Sequence, residues 1–408
     1  MEEVKTCKIC GRTLPIDRMA NNGRANVCKN CNNASNRQKR KEKRIIDYLN
    51  DDSRRFSRSY KEIQSERILS SEISKINPVK EDEVFVKLVD YKETWMSNCG
   101  RAITRHGNSY HIKHMKRTDS GEIAYHLYEH VWDGKQYVYQ KVTVEAWRLV
   151  VGAFIVNHDI ANNNLCWHSG NNLEDLYFKN LYPLNDKQYA TIKNLFSLTG
   201  DDSEKNIYEI INNPDYQVDG WEPTHFRRNF MGVGYLGNAK CDISDPAYVK
   251  WMNMLHRCYS PAEHEAKPYY KDKTVCEEWH NFANFKWWFE HNHITGKQFD
   301  LDKDLLIQGN TVYSPEACAL ISHYTNTIFE DRLDGIVCLN ECTGKYDASM
   351  QIIGKRMDIG SHDTLEDAWK AVFQYKDKYI KKYARRSKNK VPDKVYYAMM
   401  SWKVEGIA

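Results

Sequence analysis

Two Cys-x-x-Cys pairs, Cys7/Cys10 and Cys28/Cys31, stand seventeen residues apart near the start of the chain. Each pair can aim two sulfurs at one tetrahedral ion, and the spacing between pairs is that of a zinc ribbon. Structural Zn²⁺ held by Cys7, Cys10, Cys28 and Cys31 is therefore the expectation; two redox disulfides, or a knuckle that touches nothing, are the alternatives. Directly beyond lies Arg37-Gln38-Lys39-Arg40-Lys41-Glu42-Lys43-Arg44. Lys and Arg at this density neutralise phosphates whatever the base sequence. Arg37, Lys39, Arg40, Lys41, Lys43 and Arg44 are accordingly expected to touch nucleic acid.

The net charge of the 408-residue chain is only +4. That excludes a histone-like polycation and concentrates the positive field in patches, so affinity should be local and salt-sensitive. A chain this long divides into several compact units. The other eight cysteines are scattered singly, as free thiols are in a reducing cytosol. The longest apolar run, 147–156, is short and interrupted by Arg148, so neither membrane insertion nor secretion is expected, and the expected location is the cytoplasm. No small-molecule substrate is indicated, and the oligomeric state is open.

Texture divides the rest. Residues 37–83 are polar with sparse apolar positions (Ile45, Ile46, Leu49, Ile63, Ile68, Leu69) and read as a basic helical tether. From Val84 short alternating segments such as 136–145 read as strands, with a helix expected over 147–154, and this unit runs 84–200. Residues 201–240 are rich in Gly, Asn and Pro and read as a linker. A Trp-rich unit spans 241–332: Asp245 caps, Pro246 opens a helix, and Tyr248, Trp251, Met252, Leu255 and Tyr259 recur at helical spacing. The unit 333–388 alternates Tyr346, Ala348, Met350 and Ile352, turns at Gly354, and continues into a helix with Thr364 and Asp367 at its cap. Residues 389–408 remain as a C-terminal tail. The fold class expected is α+β, small modules in series: zinc ribbon, ββα finger, Trp-rich helical domain, and three-stranded sheet with helix.

Within 84–200, Ser97-Asn98-Cys99-Gly100-Arg101, Trp147-Arg148-Leu149-Val150-Val151-Gly152-Ala153-Phe154 and Cys166-Trp167-His168-Ser169-Gly170-Asn171-Asn172-Leu173-Glu174-Asp175 follow one another. In order and neighbourhood they resemble the module of phage and intron-borne HNH endonucleases. The resemblance implies a ββα-metal finger that hydrolyses phosphodiester bonds of double-stranded DNA with Mg²⁺ or another divalent metal. On this sequence His168 would be the general base, Asn171 or Asn172 its orienting amide, and Asp175 would stand where the family holds a helical Asn. Trp147 replaces the family's first His, Trp167 the polar residue before the base, and the loop is short. The nearby His158-Asp159 offers substitute ligands. A decayed finger in a non-catalytic, sequence-specific DNA-binding protein is the alternative.

In the Trp-rich unit, Asp302-Lys303-Asp304, Asn310 and Ser314-Pro315-Glu316 follow the outline of a second finger, with Lys303 at the His position. Asp302, Asp304 and Asn310 have cation-binding chemistry, against the alternative of a charged turn before a capped helix. Residues 333–386 resemble the DNA-binding domain of the plant ethylene-response-factor class through Gly335-Ile336, Lys345-Tyr346-x-Ala348, Gly354-Lys355, Ile359-Gly360 and Thr364-x-Glu366-x-Ala368. That resemblance implies a sheet lying in the major groove, with Lys345, Ser349, Gln351, Lys355 and Arg356 as outward residues. Three such segments together imply a homing-type endonuclease; docking of the ribbon on a protein such as a polymerase is a further alternative.

Overall fold

The computed structural model describes residues 3–63, 76–294, 297–329, 335–352 and 354–404, and its architecture is mixed α+β with several small sheets. The N-terminal strands Val4–Thr6 and Thr13–Pro15 pair antiparallel, and a bridge from Met19 to Cys28 closes the ribbon. Cys28 also caps the helix Lys29–Leu49, its Sγ accepting from the Cys31 amide at 3.5 Å. Straight-chain Lys, Arg, Gln and Glu propagate this helix, with a Gln38–Glu42 hydrogen bond one turn apart. It runs unbroken past residue 36, so ribbon and basic segment share one rod rather than meeting at a hinge. Ile68 and Leu69 lie outside the described residues.

The rod ends on Tyr48, which is fully buried against Trp221, Phe226 and Tyr235. The segment 201–240 is therefore more than a linker: it contains the helix Glu204–Ile211 and supplies the aromatic socket for the rod.

The next unit is built on four antiparallel strands (Phe85–Lys87, Thr94–Ser97, Ala102–His106, Ser109–Ile112) and a three-stranded sheet dominated by the hairpin Ile123–Trp132/Tyr137–Glu145. The helix Ala146–Phe154 lays Trp147, Val150, Val151 and Phe154 into the core. Residues 97–101 form a clasp. Ser97 Oγ accepts from the amides of Cys99 and Arg101, Asn98 bonds Val84 and Asp82, and Arg101 pairs with Glu83. Gly100 has φ +86°, and a Cβ there would strike Leu176. A strand Leu165–His168, an antiparallel strand Leu181–Leu184 and a helix Asp186–Thr199 follow in that order.

The Trp-rich unit forms as its spacing indicates. Asp245 caps the helix Pro246–Tyr259, which packs with Phe282–Asn292 around Trp251, Trp279, Phe282 and Phe285. Trp251 Nε1 donates to the Trp279 carbonyl at 2.7 Å, so the buried indole is satisfied. This unit grips its predecessor through a buried polar seam. Asn284 donates to the Asn157 carbonyl and accepts from the Ile160 amide, Glu278 accepts from the Asn157 amide, and Lys61 pairs with Glu278 and Glu316.

The last sheet orders Gly335–Asn340, Lys345–Ile352 and Lys355–His362, with a bulge at Ala348/Ser349 and the helix Leu365–Ser387 over one face through Ala368 and Val372. Thr364 caps that helix, its hydroxyl accepting from the Asp367 amide. The C-terminal residues are no free tail. A helix Asp393–Ser401 buries Val395, Met399 and, just beyond it, Trp402 against Leu305, Ile321 and Phe329.

Candidate metal centre and nucleic-acid interface

Cys7, Cys10, Cys28 and Cys31 bring their sulfurs within 4.8 Å of one another. The Cys10–Cys28 separation is 3.9 Å; a tetrahedron with 2.3 Å zinc–sulfur bonds has an edge of about 3.8 Å. The donor set therefore fits one metal ion such as zinc. The Cys28 amide, 3.3 Å from Cys7 Sγ, helps hold the Cys7 thiol down at about 6, whereas Cys31 is pushed up to about 12 by the neighbouring Cys28 sulfur and by desolvation. Thiolates crowded together repel, and a cation among them removes that conflict.

Arg37, Lys39, Arg40, Lys41, Lys43 and Arg44 are all exposed along the helix Lys29–Leu49. Arg44 pairs with Glu222 at 3.1 Å. The other five have no carboxylate or hydrogen-bond partner among the described residues, although Glu42 stands in their midst. Unpaired cations on a rod that carries the ribbon at one end and is anchored by Tyr48 at the other make a persistent positive field.

The C-terminal sheet presents its residues unevenly. Gln351 and Arg356 are cross-strand partners and exposed, and Lys345 is exposed but paired with Asp363 at 2.9 Å. Ser349 is buried beneath Arg356, whose Nε donates to Ser349 Oγ at 3.1 Å, so its hydroxyl is occupied. Lys355 sits opposite Ile352, on the parity of the helix-covered face, and reaches water only because it is at the turn. Asp347 and Asp358 complete the uncovered face.

His168 ends the strand Leu165–His168, and its side chain is fully buried. Nδ1 lies 3.3 Å from the Asp175 carbonyl and Nε2 lies 3.7 Å from Glu122 Oε2. Desolvation lowers the His168 pKa and raises that of Glu122, so both are driven towards neutrality. Asp175 is not helical. It lies in the loop, where its carboxylate accepts from the Tyr177 amide and from Asn180 Nδ2 at 2.7 Å, and the helix begins eleven residues later at Asp186. Asn172 is exposed and closes a turn on the Glu174 amide. Asn171 takes φ +53° in the same turn. His168 and the Asp175 backbone thus meet, while the side chains of Asn172 and Asp175 turn to loop-building bonds. Glu122, forty-six residues away in sequence, carried no signal that it would face His168.

His158 and Asp159 belong to the seam between units. His158 stacks on Phe56 at 4.4 Å, and Asp159 accepts from Asn162 and Asn238. In the Trp-rich unit the strands Asp300–Asp302 and Ala319–Ile321 precede the helix His323–Phe329, again strand, strand, helix. Lys303 Nζ bonds both Asp304 oxygens at 2.6 Å, Asp302 accepts from two loop amides, and Asn310 bonds the Lys303 and Val312 carbonyls. Asp304 is neutralised by its neighbour and Asn310 is spent on the backbone, so the three form a braced turn. Burial raises Asp302 to about 6.

No helix among the described residues is long and apolar enough to cross a membrane. Compared with protein families, curated proteins and solved structures, the chain has no significant match in any of the three.

Proposed function

We propose that this protein binds double-stranded DNA in the cytoplasm through a zinc-loaded ribbon, the basic rod that grows from it and the C-terminal sheet, without needing to cleave it. One observation carries this reading: five exposed cations, Arg37, Lys39, Arg40, Lys41 and Lys43, without an ion-pair partner among the described residues, on a helix whose first turn includes one of the four clustered cysteines. A cation array that served only solubility would gain nothing from continuing a metal-binding ribbon and being anchored to the body at its far end. Zinc supports the reading because it fixes the ribbon end of the rod. Titration of a labelled duplex at increasing salt tests it. Binding should weaken log-linearly with salt, and replacing Arg37, Lys39, Lys41 and Lys43 by Gln should lower affinity alike on all duplexes and flatten the slope by up to about 0.9 for each phosphate no longer neutralised. Salt-independent binding, or none at physiological salt, contradicts it.

A second reading, a metal-dependent endonuclease of the HNH type, is supported by the strand–strand–helix order with His168 at the end of its first strand. A neutral imidazole is in the protonation state a general base needs, but this one is enclosed and would have to be uncovered to meet a phosphate. Incubation of duplex DNA with Mg²⁺ decides between the readings: cleavage abolished by His168→Ala favours the second, and intact DNA under all divalent metals the first.

A further inference from the structure

We propose that the helix Lys29–Leu49 reads base sequence in the major groove through Lys29, Asn33, Asn36 and Arg40, an inference that rests on the DNA-binding reading above. These four recur at intervals of four, three and four residues and so share one helix face. All are exposed, and none has a side-chain hydrogen bond or ion pair among the described residues. Between Lys29 and Arg40 the rod's attachments lie off this face; beyond Arg40 they reach it, where Arg44 pairs with Glu222 and Asp47 with Arg227. Cys31 and Ser35 lose exposure at the ribbon end, and Tyr48 is buried at the other. Arg37 and Lys41 flank the face on one side, Lys39 and Lys43 on the other.

That arrangement suits a helix inside a groove better than one lying on a single strand. A helix resting on one backbone needs cations on one stripe, whereas a helix between two phosphate walls needs them on both flanks with hydrogen-bonding groups in the middle. A helix about 10–12 Å across matches a major groove about 12 Å wide. Asn pairs with adenine and Arg or Lys with guanine through two hydrogen bonds each, so the central face holds the side chains that distinguish bases. The deep, narrow groove of A-form RNA would not admit the rod.

The test uses the full-length, zinc-loaded protein and selection from a randomised duplex library, followed by anisotropy on the selected and scrambled duplexes over a range of salt. Wild type should enrich a motif. Asn33→Ala/Asn36→Ala, which favours the helix intrinsically, should lose about five- to 150-fold preference per base position read, with scrambled-duplex affinity and salt slope unchanged. Gln351→Ala serves as comparator and should alter different positions of the motif. The proposal is overturned, with DNA binding left standing, if wild type enriches no motif, if the double variant selects the wild-type motif, or if it weakens selected and scrambled duplexes equally. Tighter binding to double-stranded RNA than to DNA also overturns it. Failure of wild type to bind any duplex at physiological salt overturns both readings together.

Discussion

His168 Nε2 faces Glu122 Oε2 across 3.7 Å, and neither atom has a hydrogen-bond partner. At that distance a neutral imidazole and a carboxylate do not bond, so the pair is a small store of unfavourable desolvation inside the core.

Glu122→Gln should therefore stabilise the protein at pH 7 by about 1 kcal/mol, since the amide can donate to Nε2 without the cost of a buried charge. The folded pKa of Glu122 is raised, so its own contribution favours the fold below the unfolded value near 4.5 and is lost as pH rises through the folded value. The gain from Gln should shrink towards pH 4. His168, lowered on folding, acts oppositely: it destabilises the native state as pH falls below about 6.5. Urea denaturation at pH 7 and pH 4.5 measures both, and an equal gain at the two pH values would refute the assignment.

Tyr48 fastens the rod to the body with a hydroxyl that is buried and unpartnered. Tyr48→Phe should be neutral or stabilising by up to about 1 kcal/mol, whereas Tyr48→Ala should cost about 3–5 kcal/mol by opening the aromatic socket. Denaturation monitored by fluorescence of Trp221 reports the difference; equal destabilisation by both variants would show that the hydroxyl is used.

Lys61 is the cation of the polar seam, 2.9 Å from Glu278 and 3.1 Å from Glu316. Lys61→Met should cost about 3–5 kcal/mol because it strands the Glu278 carboxylate, and Lys61→Met/Glu278→Gln should recover a large part of it. A single-variant loss under about 1 kcal/mol would mean that water reaches the seam.

Chelation or Cys28→Ser should release one zinc per chain, measurable by elemental analysis, and weaken DNA binding on every sequence while leaving the main melting transition in place. The cysteine cluster has its own small core of Met19 and Leu14, separate from the larger ones. Loss of the main transition on chelation would instead make zinc a determinant of the whole fold.

The parts legible in the sequence were those governed by short-range rules. Cys-x-x-Cys spacing places two ligands by turn geometry alone, Asp245-Pro246 and Thr364 start helices through local capping, and the alternation of Tyr346, Ala348 and Met350 gives a strand whose neighbours are near in the chain. Asp175 misled because a loop and a helix can carry the same polar residue, and only the pairing of Leu165–His168 with Leu181–Leu184 puts the helix start at Asp186. The segment 201–240 and the C-terminal helix Asp393–Ser401 were opaque for a related reason: their Phe226, Tyr235, Val395 and Met399 find their hydrophobic partners far away in sequence.

By itself, then, the amino-acid order determined the two cysteine pairs that can hold a metal, the density of positive charge and the α+β modularity, because each depends on residues within a turn or two of one another. Tertiary structure decided that His168 is enclosed opposite Glu122, that Ser349 lies under Arg356, and that the basic segment is a rod pinned by Tyr48 with one polar face open from Lys29 to Arg40. Exposure is a property of packing between distant segments, and a helix with as few apolar residues as Lys29–Leu49 carries little local pattern to mark the side the rest of the chain will cover.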